Sequence, residues 1–308
     1  MTRRWLVTGC SSGLGLALAT AVVAAGDSVL ATSRRPSALD ALAAEHPDRV
    51  VTATVDVRDA EQCAAAVQLA CDRLGGVDVL VNNAGAGVFG AVEEVSDDEL
   101  RAQLEVLAVA PWRFARLVLP LMRAQGRGHI LNVSSLAGRM AFPGLGAYVA
   151  GKYALEGMSQ ALAAEVAPFG VRVTVIEPGG FATEYGSALA ESAARLPVYE
   201  PTIGPVRAGL RGMGGNPELN RPEDFAALVL RAVGAGSVPL RLPAGPDAYA
   251  YLEMIEEQAR AEFAAARVFA LGAGEAGEAG EASDVGEAGG LLPGQAGDPQ
   301  ADPAPTSA

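Results

Sequence analysis

Short runs of Val, Leu and Ile recur along the chain, each followed by an Ala/Leu-rich stretch whose apolar residues return at helical spacing. "RWLVTG" leads into a helix from Gly13, "SVLATS" into one over Ala38 to Ala44, and "RVVTATV" into one over Ala60 to Leu74. "VDVLVN" precedes a helix over Asp97 to Met122, "GHILNVSS" precedes one over Ala147 to Ala167, and "VRVTVIEPGG" follows. Strands that are apolar throughout, separated by helical crossovers, predict a parallel sheet covered on both faces, an α/β doubly wound domain of Rossmann type. Between Phe181 and Pro222 the pattern loosens into Gly, Pro and short helical pieces, which predicts a substrate lid near the carboxyl ends of the strands. A helix "EDFAALVLRAV", a last strand "SVPLRL" and a helix to about Leu271 complete a single domain over residues 1–271.

Residues 272–308 are Gly, Ala, Pro and acids, too poor in apolar surface to offset their ordering entropy, and a disordered tail is expected there. The net charge is −13; the seven tail acids account for −7 of it and leave −6 on the rest. An acidic balance argues against nucleic acid as a partner, because phosphate binding needs clustered Lys and Arg. No apolar run approaches the roughly 20 residues of a membrane helix. The short run after Arg3 and Arg4 enters a glycine turn at once, unlike a signal peptide. Cys10, Cys63 and Cys71 form no C-x-x-C pair, as expected of reduced thiols in the cytoplasm.

Chemistry enters at "TGCSSGLG", where the first strand hands over to the first helix: Thr8, Gly9, Ser11, Ser12, Gly13, Leu14 and Gly15. Gly9 permits the tight turn, Gly13 lets the backbone approach a pyrophosphate, and Gly15 lets helix and strand pack closely. The T-G-x-x-x-G-x-G spacing resembles the short-chain dehydrogenase/reductase family, and further motifs occur in that family's order. They are Asp56-Val57, "NNAG" with Asn82, Ala84 and Gly85, "NVSS" ending at Ser135, Tyr148-x-x-x-Lys152, and "EPGGFAT" with Pro178, Gly179 and Thr183. The resemblance implies that Asp56 bonds the adenine, that Asn82 stabilises the sheet beside the cofactor, and that Pro178, Gly179 and Thr183 face the nicotinamide end.

At the end of the second strand stand Ser33, Arg34 and Arg35, where relatives that prefer NAD carry an acid. An acid there repels a 2′-phosphate and an arginine binds it, so NADPH is the expected cofactor.

Tyr148 and Lys152, four residues apart on a helix, project from one face. A free tyrosine titrates near pH 10. A nearby ammonium favours the phenolate and is expected to lower that value toward useful proton transfer. By resemblance Tyr148 protonates a carbonyl oxygen while hydride arrives at the carbon, Ser135 orients that oxygen, and Lys152 also grips the nicotinamide ribose. The family's catalytic-helix Asn falls on Leu107; Pro111, four residues later, has no N–H and is expected to leave the Leu107 carbonyl free for a water. His46 and His129 are isolated, and no metal site is expected.

The leading reading is therefore an NADPH-dependent ketoreductase, or the corresponding alcohol dehydrogenase, for a bulky apolar small molecule such as a steroid-like or polyketide ketone. The bulk is inferred from Tyr185, Leu189, Leu196, Tyr199, Ile203, Leu210 and Met213 in the loose segment. The Ala/Gly/Arg-rich composition suggests a GC-rich bacterial source, and with it natural-product metabolism. Two alternatives stay open: a catalytically silent NADP-binding protein, and an isomerase or epimerase that retains its cofactor. The resemblance also implies a homodimer or homotetramer.

Overall fold

A computed structural model describes residues 2–213, 216 and 218–272; the expected tail, apart from Gly272, lies outside the described residues. The first strands and helices follow the apolar pattern closely: β1 (Arg4–Val7), α1 (Gly13–Ala24), β2 (Ser28–Ser33), β3 (Val50–Thr54), α3 (Ala60–Leu74) and β4 (Val79–Asn82). Asp59 starts α3 by accepting the N–H groups of Glu61 and Gln62. Before it, the predicted helix from Ala38 resolves into a 3-10 turn (Pro36–Leu39) and a short α2 (Asp40–Glu45).

After the two-residue strand β5 (Val88–Phe89), the single helix expected over Asp97 to Met122 is divided. α4 (Asp97–Leu104) opens on a capping box between Ser96 and Glu99. A π turn (Glu105–Val109) follows, in which the Ala110 N–H donates to the carbonyl five residues back, and then α5 (Ala110–Gln125). Pro111 cannot donate, so an ordinary α-helical ladder cannot run unbroken through this point.

Then come β6 (Gly128–Val133), α6 (Gly146–Val166), β7 (Val171–Pro178), the short β8 (Ala190–Glu191), α7 (Glu200–Gly212), α8 (Pro222–Gly234), β9 (Arg241–Ala244) and α9 (Pro246–Leu271). Two expectations shift. The loose segment contains a 13-residue helix, α7, despite Pro201 and Pro205. The last strand begins four residues later than the run "SVPLRL", because the register with β7 pairs Val175 with Arg241 and Ile176 with Leu242.

Seven strands form one parallel sheet in the order β3-β2-β1-β4-β6-β7-β9, the doubly wound topology the alternation predicted. Alternate residues serve opposite faces. Trp5, Val7, Val29 and Ala31 pack with α1 and α8 residues such as Leu18, Val22, Phe225 and Val229. Leu6, Leu30, Leu80 and Ile130 pack with Val67, Phe114 and Val118 from α3 and α5. By their internal contacts the described residues divide within α9, after Ile255.

Candidate active site

The turn between β1 and α1 is built on glycine. Gly9 has φ +73°, a left-handed conformation, and a Cβ there would stand 2.7 Å from the Ala84 Cα. Gly15 presses its bare Cα against the Gly9 carbonyl and the Asn83 amide, the close helix-strand packing expected of it. Gly13 faces the Thr183 methyl group. Ser12, the extended N-cap residue of α1, makes no side-chain bond to the helix, so the first-turn N–H groups of α1 have no side-chain cap. With the positive helix end, flanked by half-buried Ser11 and Leu14, this is the donor set an anionic pyrophosphate requires.

Asn83 locks that turn, and the sequence reading passed over it in favour of its neighbour. Its amide donates to the carbonyls of Thr8 (2.9 Å) and Gly9 (3.0 Å). The Thr8 hydroxyl in turn accepts the N–H groups of Asn83 and Ala84, each at 3.0 Å. Asn82, buried, donates to Asn132, which donates to Ser159, both at 2.8 Å. Asn82 therefore ties β4 through β6 to α6, a sheet-stabilising contact of the kind the resemblance implies.

Ser33 is buried at the end of β2 and its hydroxyl accepts the Arg35 N–H at 3.2 Å; Arg34 and Arg35 are exposed beside it. Asp56 is already gripped by Arg58, with Nε–Oδ1 2.9 Å and Nη2–Oδ2 2.5 Å, which draws its carboxyl down to about 2. The Arg34 charge adds to that pull. Val57 is buried and its carbonyl accepts from Arg113 at 2.9 Å.

Ser135, Tyr148 and Lys152 come together where β6 ends against α6. Ser135 caps the 3-10 turn Leu136–Gly138, accepting the Ala137 N–H at 3.2 Å. Tyr148 is 7% exposed and Lys152 5% exposed. The Lys152 Nζ donates to the Val133 carbonyl at 2.7 Å and stands 5.6 Å from the centre of the Tyr148 ring.

Here the ionisation corrects the sequence reading. Burial pushes the Tyr148 phenol above its ordinary value, opposed only by the hydroxyls of Tyr185 and Ser135. The ammonium expected to lower it is turned to the Val133 carbonyl instead. Burial also brings Lys152 down to about 8, with the charge of Glu156 working in the opposite direction. Taking both groups out of water penalises their charged forms more than their mutual placement recovers. Ser134 is buried against Gly138 with its hydroxyl unpaired, so of the two serines it is Ser135 that adjoins Tyr148.

Leu107 does not present a polar group. It is 1% exposed and fills the space beside Gly151 and Gly85; a Cβ on Gly151 would lie 2.8 Å from the Leu107 Cδ1. The freeing of its carbonyl by Pro111 assumed an α-helical four-residue count, and the π turn removes that premise.

The turn after β7 is held from two directions. The Gly179 N–H donates to Ala244 at 2.9 Å, and the Gly180 N–H donates to Asp247 at 2.6 Å. Asn220 donates to Asp247 at 2.6 Å and to the Gly180 carbonyl at 2.8 Å. Neither Asp247 nor Asn220 carries a local signal, because both act across long stretches of chain. Pro178 and Thr183 thus sit on a fixed bend, with Thr183 reaching Gly13.

Beyond this bend, Tyr185, Leu189, Tyr199, Ile203 and Leu210 gather with Phe89, Leu107, Leu145 and Tyr148 in one apolar cluster. Leu196 instead lines a separate cavity of about 300 Å³ with Glu94 and Glu200, and Met213 lies toward Gly180. The segment after β7 is held by β5–β8 pairing, by the Leu196 N–H to Glu94 at 2.6 Å and by the Ala193 N–H to Glu99 at 3.0 Å.

Comparison with known proteins agrees with this geometry. Residues 3–194 match the family model described as short chain dehydrogenase. An oxidoreductase of Botryotinia fuckeliana, BOA17, is 41% identical over 252 residues, covering 82% of this chain and 92% of that protein. A short-chain dehydrogenase structure from Streptomyces avermitilis superposes with a TM-score of 0.80 at 40% identity, covering 92% of this chain and 98% of that one. A metagenomic short-chain oxidoreductase in complex with NADP superposes with a TM-score of 0.63 at 27% identity, covering 79% and 97%. A glycine turn and uncapped helix start after β1 and a Ser-Tyr-Lys cluster after β6 fit that assignment: the chain belongs to the short-chain dehydrogenase family and is an NAD(P)-dependent oxidoreductase.

Proposed function

We propose that the protein is an NADPH-dependent reductase of a ketone carried on a bulky apolar small molecule, and the corresponding alcohol dehydrogenase in reverse. The observation that carries the reading is the adjacency of the Ser135 and Tyr148 hydroxyls under an apolar roof, with Lys152 buried behind them.

The residues present fit a dinucleotide: the uncapped start of α1 and the glycine turn suit a pyrophosphate, and the acid-free end of β2 with Arg34 and Arg35 suits a 2′-phosphate. When bound, the cofactor supplies the hydride. Tyr148 is held neutral by burial and donates its proton to the substrate oxygen. Ser135 orients that oxygen with its hydroxyl. Lys152, charged below about pH 8, stabilises the phenolate left behind and binds the ribose. The roof of Tyr185, Leu189 and Ile203 excludes water and favours an apolar substrate of steroid-like or polyketide type. The buried Cys10 and Cys63 suit a reducing cytoplasm, and a homodimer or homotetramer is the expected assembly.

The test is NADPH oxidation with a panel of bulky apolar ketones, alongside NADH and Tyr148→Phe. Turnover that prefers NADPH and disappears in the variant supports the reading. Tight NADPH binding without turnover of any ketone overturns it in favour of a silent cofactor-binding protein.

A further inference from the structure

Behind Lys152 lies a buried group of charges that proton transfer at Tyr148 does not by itself require. Glu156 follows Lys152 by one helical turn on α6, so both side chains project from the same face, and it is 3% exposed. Glu177, at the end of β7, is 0% exposed. Arg241 of β9 stands 3.2 Å from the Glu156 Oε2 and 3.8 Å from the Glu177 Oε1; Arg139, next to the 3-10 turn, stands 3.2 Å from the same Glu177 oxygen.

Arg241 takes only one of the two Glu156 oxygens. The other, Oε1, has no hydrogen-bond partner among the described residues, and it lies beside Gly138, where a Cβ would be 3.1 Å away. A buried carboxylate oxygen without a partner is costly, and a purely structural Arg–Glu pair has no reason to keep one. On the other side, the Lys152 ammonium has three donors, of which the Val133 carbonyl takes one.

We propose that Glu156, held in place by Arg241, is the buried counter-ion of Lys152, a positioning residue that keeps it an ammonium at neutral pH. The other groups around this pair are Tyr148 on α6, Arg139 and the Ser134 hydroxyl before it, and Glu177 on β7. Burial lowers Lys152 and Glu156 acts against that, in line with the assignment. The consequence for turnover rests on the reductase reading; the charge relationship itself does not.

Lys152 is the only lysine in the chain, which makes it directly observable. In full-length protein labelled with 13C-lysine, the side-chain signal of Lys152 is titrated by NMR in wild type, Glu156→Gln and Glu156→Asp, with thermal melts to verify folding. The wild-type midpoint is expected near 8. Glu156→Gln keeps the shape and an acceptor for Arg241 but removes the charge, and moves the midpoint down by about one pH unit. Glu156→Asp retains the charge one methylene further away and gives an intermediate value; should the Gln variant fail to fold, the Asp variant decides. Unchanged midpoints, or an upward move in either variant, overturn the inference. The alkaline decline of ketone reduction shifts the same way as the midpoint. A shifted NMR midpoint in a protein that reduces no ketone sinks the reductase reading and leaves the counter-ion assignment standing.

Discussion

The ring of Tyr185, in the segment between β7 and β8, stands 5.5 Å from the ring of Tyr148, their planes inclined at 50°. Its hydroxyl is buried without satisfying hydrogen-bond geometry, although it lies close enough to Tyr148 to oppose the rise in that phenol's pKa. Tyr185→Phe therefore keeps the wall and removes a buried unpaired hydroxyl. Denaturant unfolding is expected to show a gain of about 1 kcal/mol, with ketone turnover reduced only slightly. Tyr185→Ala removes the wall, and kcat/KM for apolar ketones is expected to fall roughly tenfold, corresponding to about 1.4 kcal/mol. A loss of stability in Tyr185→Phe shows that the hydroxyl has a partner after all.

Asn83 holds two carbonyls of the glycine turn with one amide. Asn83→Ala leaves both without that donor and loosens the approach to the first turn of α1. NADPH affinity, read by calorimetry, is expected to weaken about tenfold, with a loss of about 1–3 kcal/mol in stability. Retention of wild-type affinity removes Asn83 from the binding apparatus.

The proposed NADPH preference is argued from Ser33, Arg34 and Arg35 at the end of β2. Ser33→Asp introduces a carboxylate at the end of β2, which repels a 2′-phosphate and accepts ribose hydroxyls. The ratio of kcat/KM for NADPH over NADH is expected to drop at least tenfold, roughly the effect of 1.4 kcal/mol. An unchanged ratio transfers the discrimination to other residues.

Lys152 carries a stability cost with a defined pH window. Its pKa is about 8 in the folded chain against 10.5 for the free group, so the unfolded chain binds more protons between those values. The cost of the buried ammonium is fully present below about pH 8 and is relieved as pH rises toward 10.5. By linkage that difference is worth roughly 3 kcal/mol, from which losing the Val133 hydrogen bond in Lys152→Met takes back about 1–3 kcal/mol. The variant is thus expected to be inactive yet equal to or more stable than wild type at pH 7. Its advantage shrinks on going to pH 10, which paired thermal melts across that range will check.

What the sequence by itself determined was the frame. Strands that are apolar on both faces have one place to go, a covered parallel sheet, and "TGCSSGLG", "NNAG" and Tyr148-x-x-x-Lys152 mark the candidate site along its carboxyl edge. These are short-range features: periodicity, glycine geometry and helical spacing act within a few residues. The tertiary structure alone decided the rest. It placed Asn83 on the carbonyls of Thr8 and Gly9, Asp247 and Asn220 on the bend after β7, and Arg241 on Glu156, pairs formed between distant parts of the chain. It also widened the helix before Pro111 into a π turn, where the ladder has to accommodate a missing donor. Above all it reversed the expected shift of Tyr148, because a pKa depends on how much water each charge loses, and burial is a property of the assembled fold.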